Sequence, residues 1–178
     1  FIDNEDFFQR KFIFRNKEGK FFEDNDERTV FFSKGVLETV KKLGWAPDLI
    51  HCNGWFSSLL PLFVRTAYKH NPIFSDSKIV LSIYNDGFTE QFKPDFENKV
   101  LMNGIEESDF GHYKGGNYVS LMKGAIDYAD AVIQGSPEIN EEVLAYAKAS
   151  GKPMLDYQES EDYYVAYNVF YDKIISEA

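Results

Sequence analysis

The segment His51-Cys52-Asn53-Gly54-Trp55 and the pair Tyr84-Asn85 hold the side chains best suited to meet a ligand. An imidazole carries a proton near neutral pH, carboxamides and phenols make neutral hydrogen bonds, and an indole offers a flat apolar face. A phenol can hydrogen-bond a ligand hydroxyl, and aromatic faces pack against apolar ligand surfaces. Trp55 has a plainer alternative, packing under a strand–helix turn. His51 beside Cys52 is not a zinc spacing and no second pair accompanies it, so no metal site is expected. No Gly-x-Gly-x-x-Gly follows a strand, and there is no P-loop. Lys114-Gly115-Gly116-Asn117, ahead of a helix, either cradles a phosphate or sugar oxygen or acts as a hinge. Glu106-Glu107, Glu159 and Glu161 fit a solvated surface better than a glycosidase pair.

These groups need elements to position them. Residues 49–51 read as a short apolar strand that turns into a helix over about residues 56–69, with Pro61 in its first turn or at a kink. Residues 79–84 form a second strand, apolar at successive positions as burial on both faces demands, and residues 131–133 a third. Helices are expected from Asp26 as cap to about Leu43 with Gly44 as stop, from Asn117 to about Tyr128, and from Ser136-Pro137 to about Ala149. Phe32, Val36, Val40 and Leu43 would be the first helix's buried face. Residues 152–155 as a strand and an amphipathic helix capped by Ser160, with Tyr163, Tyr164, Tyr167, Phe170, Tyr171 and Ile174 at three- and four-residue spacing, would close the domain. Residues 1–25 are two short strands around a turn, or an irregular loop. Residues 85–116 read as a long glycine-bearing loop, functional or mobile. The alternation predicts one α/β domain with a doubly wound, mainly parallel sheet. Such sheets meet ligands at the carboxyl ends of their strands, where His51, Asn53 and Tyr84 fall.

Composition narrows the partners. The chain of 178 residues, 44% apolar and 27% charged, suits one soluble globular domain. It has no apolar run of about 18 residues and no leader pattern, so no membrane span or signal peptide is expected. Without an initiator Met, residue 1 reads as internal to a longer protein. One cysteine excludes an intrachain disulfide and fits the cytoplasm. Lys and Arg number 19 against 29 Asp and Glu, a net charge of −10, which repels nucleic acid. A neutral glucan is indifferent to that charge.

Three segments resemble glycogen (starch) synthases. Phe31-Phe32-Ser33-Lys34-Gly35-Val36-Leu37-Glu38 is similar to the family's Phe-(Phe)-Ser-x-Ala-Ala-Leu-Glu stretch. Pro47 to Trp55 matches Pro-Asp-x-x-His-x-x-x-Trp, and Pro61 follows as in the family. Met122-Lys123-Gly124-Ala125-Ile126-Asp127-Tyr128-Ala129-Asp130 and Ser136-Pro137 resemble Leu-Lys-Ala-Gly-x-x-Tyr-Ala-Asp and Val-Ser-Pro. The resemblance implies the amino-terminal, acceptor-side, Rossmann-like half of a retaining B-type glycosyltransferase. That reaction passes glucose from ADP-glucose or UDP-glucose to an α-1,4-glucan, with neither metal nor other cofactor. It places Tyr84 and Asn85 at the glucosyl unit, His51, Asn53 and Trp55 along the cleft, and Lys123 on the family's Lys.

The departures fall in the same places. Asn53 and Gly54 replace the second His and the Asp of His-x-His-Asp-Trp, and Tyr84 replaces the His of Val-His-Asn. The family's Lys-x-Gly-Gly-Leu motif and its nucleotide-gripping carboxyl-terminal domain are absent from these residues, so catalysis would need a second nucleotide-binding domain or chain. A non-catalytic glucan- or partner-binding domain is the alternative. An unrelated flavodoxin-like module would need a phosphate-binding first loop, which is not found.

Overall fold

The computed structural model describes residues 4–102 and 104–176. A single turn, α1 (Glu5–Phe8), and the long helix α2 (Asn25–Leu43) precede the first strand, β1 (Leu49–Asn53). Then follow α3 (Leu59–Arg65), β2 (Lys78–Ile83), α4 (Phe96–Val100), α5 (Tyr118–Tyr128) and β3 (Ala131–Gln134). The chain closes with α6 (Glu141–Ala149), β4 (Met154–Leu155) and α7 (Tyr163–Ser176). The four strands pair in chain order, every neighbour parallel. The expected α/β parallel sheet is therefore present.

Parallel neighbours need crossovers, and right-handed crossovers that advance in one direction put their helices on one face. Accordingly α3, α5 and α6 pack side by side, with α2 against α3. The opposite face is covered by α7, whose Phe170 and Ile174 meet Val80, Ala131 and Ile133. Buried on both faces, β2 carries Ile79, Val80, Leu81 and Ile83 at 0% exposure. Its unbroken apolar run requires this.

Several local expectations are corrected. Asp24, not Asp26, stands at the N-cap of α2, and its carboxylate holds Arg10 instead of the helix. Asp26 lies buried in the first turn, 2.8 Å from Lys99 Nζ. The expected Phe32, Val36 and Val40 are half-buried against the core, Val30, Ser33 and Leu37 beside them are the fully buried stripe of α2, and of the expected four only Leu43 is exposed. Helix α3 is shorter than expected because a 3-10 turn, Trp55–Ser57, precedes it. Pro61 sits in its first turn, where no intrahelical N–H is lost. Asn140, not Ser136, caps α6. Ser136 Oγ instead accepts the Asn85 N–H at 3.1 Å, bracing the end of β2.

Residues 85–116 are not a loose loop. They contain α4 and the 3-10 turns Glu107–Gly115, and they bury Phe88, Phe92, Phe96, Phe110 and Tyr113. Before α2, an isolated antiparallel bridge, Arg15 with Phe21, flanks the turn at Gly19, and α1 was not anticipated. Residues 1–3 of the amino-terminal expectation lie outside the described residues.

Candidate functional site

Successive residues of a strand face opposite sides of the sheet. Leu49, His51 and Asn53 of β1, with Val80 and Ser82 of β2, face α7, while Cys52, Leu81 and Ile83 face the crossover helices. His51 is held from two elements. Its Nε2 lies 2.7 Å from Ser82 Oγ, and its Nδ1 lies 2.9 Å from the Tyr171 hydroxyl. Burial pulls its pKa below the ordinary imidazole value, so the ring is neutral at pH 7. Cys52 faces the other way, and burial pushes its thiol up to about 12, which leaves it no nucleophile.

Tyr84, just past β2, donates its hydroxyl to Asn53 Oδ1 at 2.9 Å. Its ring lies over Gly135, where a Cβ would stand 2.5 Å from it. That glycine is the seat of the phenol. His51, Asn53 and Tyr84 thus share one pocket of about 310 Å³ with α7, at the carboxyl ends of β1 and β2.

Asn85 is exposed and turns to the other side. It lines a hollow of about 380 Å³ with Gly87, Phe88, Thr89 and Tyr118. Through Phe88, Thr89, Tyr118 and Asn140 this joins a hollow of about 590 Å³ that contains Asn117 and Lys123. Lys123 is paired with Glu142 at 2.6 Å and lies over the Tyr146 ring. Asn117 caps α5 by accepting the Ser120 N–H at 2.9 Å, and Gly116, at φ 60°, makes the turn into it. The Gly-Gly-Asn stretch is therefore a tight helix entry.

Trp55 is a correction. It is 1% exposed, and its indole sits among Phe14, Phe56 and Phe88 with ring centroids 4.7, 5.3 and 4.9 Å away. It props up the turn after β1 and offers no face to a ligand.

Asp86 was missed. Gly54 has φ 64° and ψ −175°, a region essentially reserved for glycine, and a Cβ there would lie 2.2 Å from Asp86 Oδ2. The same oxygen accepts the Trp55 N–H at 3.3 Å, whereas Oδ1 is buried without a partner. Desolvation raises the Asp86 pKa. In the glycogen synthase pattern the acid stands at position 54, whereas here a carboxylate reaches the same turn from the end of β2. The Asp86 carboxylate thus occupies the volume that a side chain at position 54 would need. The available signal was an acid directly after Tyr84-Asn85, on the strand that neighbours a glycine standing where an acid is expected. On α7, Tyr163 and Tyr164 are 50% and 54% exposed.

Among the described residues no three His, Cys, Asp or Glu side chains are grouped to hold a metal ion, and no helix is long and apolar enough to cross a membrane.

Comparison with known proteins places this geometry. Residues 1–156 match the family described as the starch synthase catalytic domain. The glycogen synthase of Chlorobium limicola is 35% identical over 146 residues, covering 81% of this chain and 29% of that protein. The glycogen synthase of Chlorobaculum parvum is 34% identical over 152 residues, covering 84% and 30%. The chain thus spans under a third of the length of these curated relatives. The catalytic domain of starch synthase IV from Arabidopsis thaliana, bound to ADP and acarbose, shares the fold at TM-score 0.59 and 20% identity, over 78% of this chain and 31% of that one.

Proposed function

The chain belongs to the starch synthase catalytic-domain family, a family of glycosyltransferases, and from that premise we propose that it is the acceptor-side half of a retaining glucosyltransferase. Glucose would pass from ADP-glucose or UDP-glucose to an α-1,4-glucan in the cytoplasm. The observation that carries this reading is the alignment of about four-fifths of the chain with glycogen synthases. The starch synthase IV structure, with ADP and acarbose bound, supports a nucleotide and a glucan as the ligands.

Tyr84 would hydrogen-bond the transferred glucosyl unit from the end of β2, and Asn85, in the adjoining hollow, would not share that pocket. The Tyr84 proton is already given to Asn53, so its oxygen would accept from a sugar hydroxyl. His51 and Asn53 hold that phenol side of the cleft, and Trp55 supports the turn beneath it. Lys123 lines the hollow beyond Asn85, but its pairing with Glu142 leaves it a poor clamp for a diphosphate. A second domain or chain would supply that clamp.

That pairing, with a phenol in place of the family imidazole, also favours a second reading, a glucan-binding domain without transfer. A transfer assay on the full-length gene product, with labelled ADP-glucose or UDP-glucose and glycogen, separates the two. Label should enter glycogen, and Tyr84→Phe should slow it by about 0.5–1.5 kcal/mol, the net worth of one neutral hydrogen bond. Glycogen binding without transfer would favour the second reading. Unchanged transfer in Tyr84→Phe would remove Tyr84 from the site.

A further inference from the structure

We infer that α7 completes a binding site for a neutral sugar on the sheet face opposite the crossover helices. This helix lies beyond residue 156, where the family match ends. It brings Tyr163, Tyr164, Tyr167, Asn168 and Tyr171 over the pocket that His51, Asn53 and Tyr84 form at the strand ends.

The chemistry of the walls selects the ligand. No Lys, Arg, Asp or Glu lines the pocket, so a phosphate or carboxylate would find no countercharge. His51 has both ring nitrogens engaged, and burial pushes the Tyr171 hydroxyl up to about 12. The floor is neutral. The walls are aromatic: Tyr163 meets Tyr167 edge-on at 5.2 Å, and Tyr167 meets Tyr171 at 6.0 Å, a stepped row of rings along the helix. The hydroxyl of Tyr163 and the carboxamide of Asn168 make no side-chain hydrogen bond among the described residues.

Rings that pack apolar C–H faces, beside uncommitted hydroxyl and amide groups, suit a ligand with alternating C–H and O–H surfaces. Phe170 and Ile174, with Tyr167 and Tyr171 packed beside them, cover the sheet, whereas Tyr163, Tyr164 and Asn168 are exposed and are not needed for that. The volume of about 310 Å³ stands at the low end of ligand pockets, about 300–1,000 Å³, and suits one end of an oligosaccharide. That the oligosaccharide is an α-1,4-glucan rests on the function proposed above.

The test is calorimetric titration of the protein with maltotetraose and, separately, with cellotetraose. Three proteins are compared: wild type, Tyr163→Ala/Asn168→Ala, and Lys148→Ala on the exposed surface of α6. Maltotetraose should bind wild type and Lys148→Ala alike, and about tenfold or more weaker to the double variant. Both substituted α7 side chains are exposed, so the melting temperature should hold. If it falls, Tyr163→Leu, which keeps an apolar body, is read instead. Cellotetraose binding alone, with the same loss in the α7 variant, supports the site and contradicts the α-glucan reading. Maltotetraose binding that survives in the α7 variant overturns the site and leaves that reading standing. No binding of either sugar overturns the site.

Discussion

Asp86 carries a cost that a single substitution can expose. Its Oδ2 serves the Trp55 N–H, but Oδ1 is buried without a partner, and burial raises the folded-state pKa above the unfolded value of about 4. A raised carboxyl pKa favours folding below the unfolded value, and that contribution is lost as pH rises through the folded one. Asp86→Asn keeps an acceptor for Trp55 and removes the charge. It should be more stable than wild type at pH 7 by roughly 1 kcal/mol, with the gain vanishing near about pH 4. Urea unfolding at the two pH values measures this, and a variant less stable at pH 7 would contradict it. Gly54→Ala should cost about 2 kcal/mol, from a glycine-only backbone and a Cβ 2.2 Å from Asp86. In an Asp86→Ala background the cost should fall by at least about 0.5 kcal/mol, because the two positions share a contact. Equal costs in both backgrounds would mean that only the backbone matters. Both residues were visible in the sequence, but their meeting was not. It follows from the β1–β2 register, Asn53 opposite Ser82, which brings residue 54 beside the end of β2.

At the scale of elements, β2 and β3 were legible because their apolar residues are successive rather than alternating, which only burial on both faces explains. The segment 85–116 was not legible. Gly87, Pro94, Gly104 and Gly111 break its periodicity, while Phe88, Phe92 and Phe96 give a core only after folding back onto Trp55. Ser136-Pro137 misled for a related reason, since a serine can brace a strand end as well as cap a helix. The packing of α5 against the 3-10 turns offers a direct test. Helix propensity alone predicts that Gly124→Ala gains about 1 kcal/mol. A Cβ there would stand 2.5 Å from the Tyr113 ring, which is fixed by its hydroxyl donating to the Ser58 carbonyl at 2.7 Å. Overpacking should therefore win, with a net loss of about 1–3 kcal/mol in thermal unfolding. A higher melting temperature would show that Tyr113 can yield.

Taken as a whole molecule, the chain places hydroxyl and amide groups at its strand ends and commits its site-lining lysine to an ion pair. The net charge of −10 sets a further electrostatic barrier against an anionic donor. It spans 29–30% of the glycogen synthases it aligns with, and the clamp for a sugar nucleotide is proposed to come from elsewhere. The most direct measurement is calorimetric titration of the 178-residue chain with ADP-glucose. The dissociation constant should be no tighter than about 1 mM, and Lys123→Ala should leave it unchanged. A constant near about 1 μM, roughly 4 kcal/mol tighter, would show that the chain holds a complete donor site and would contradict its assignment as the acceptor-side half.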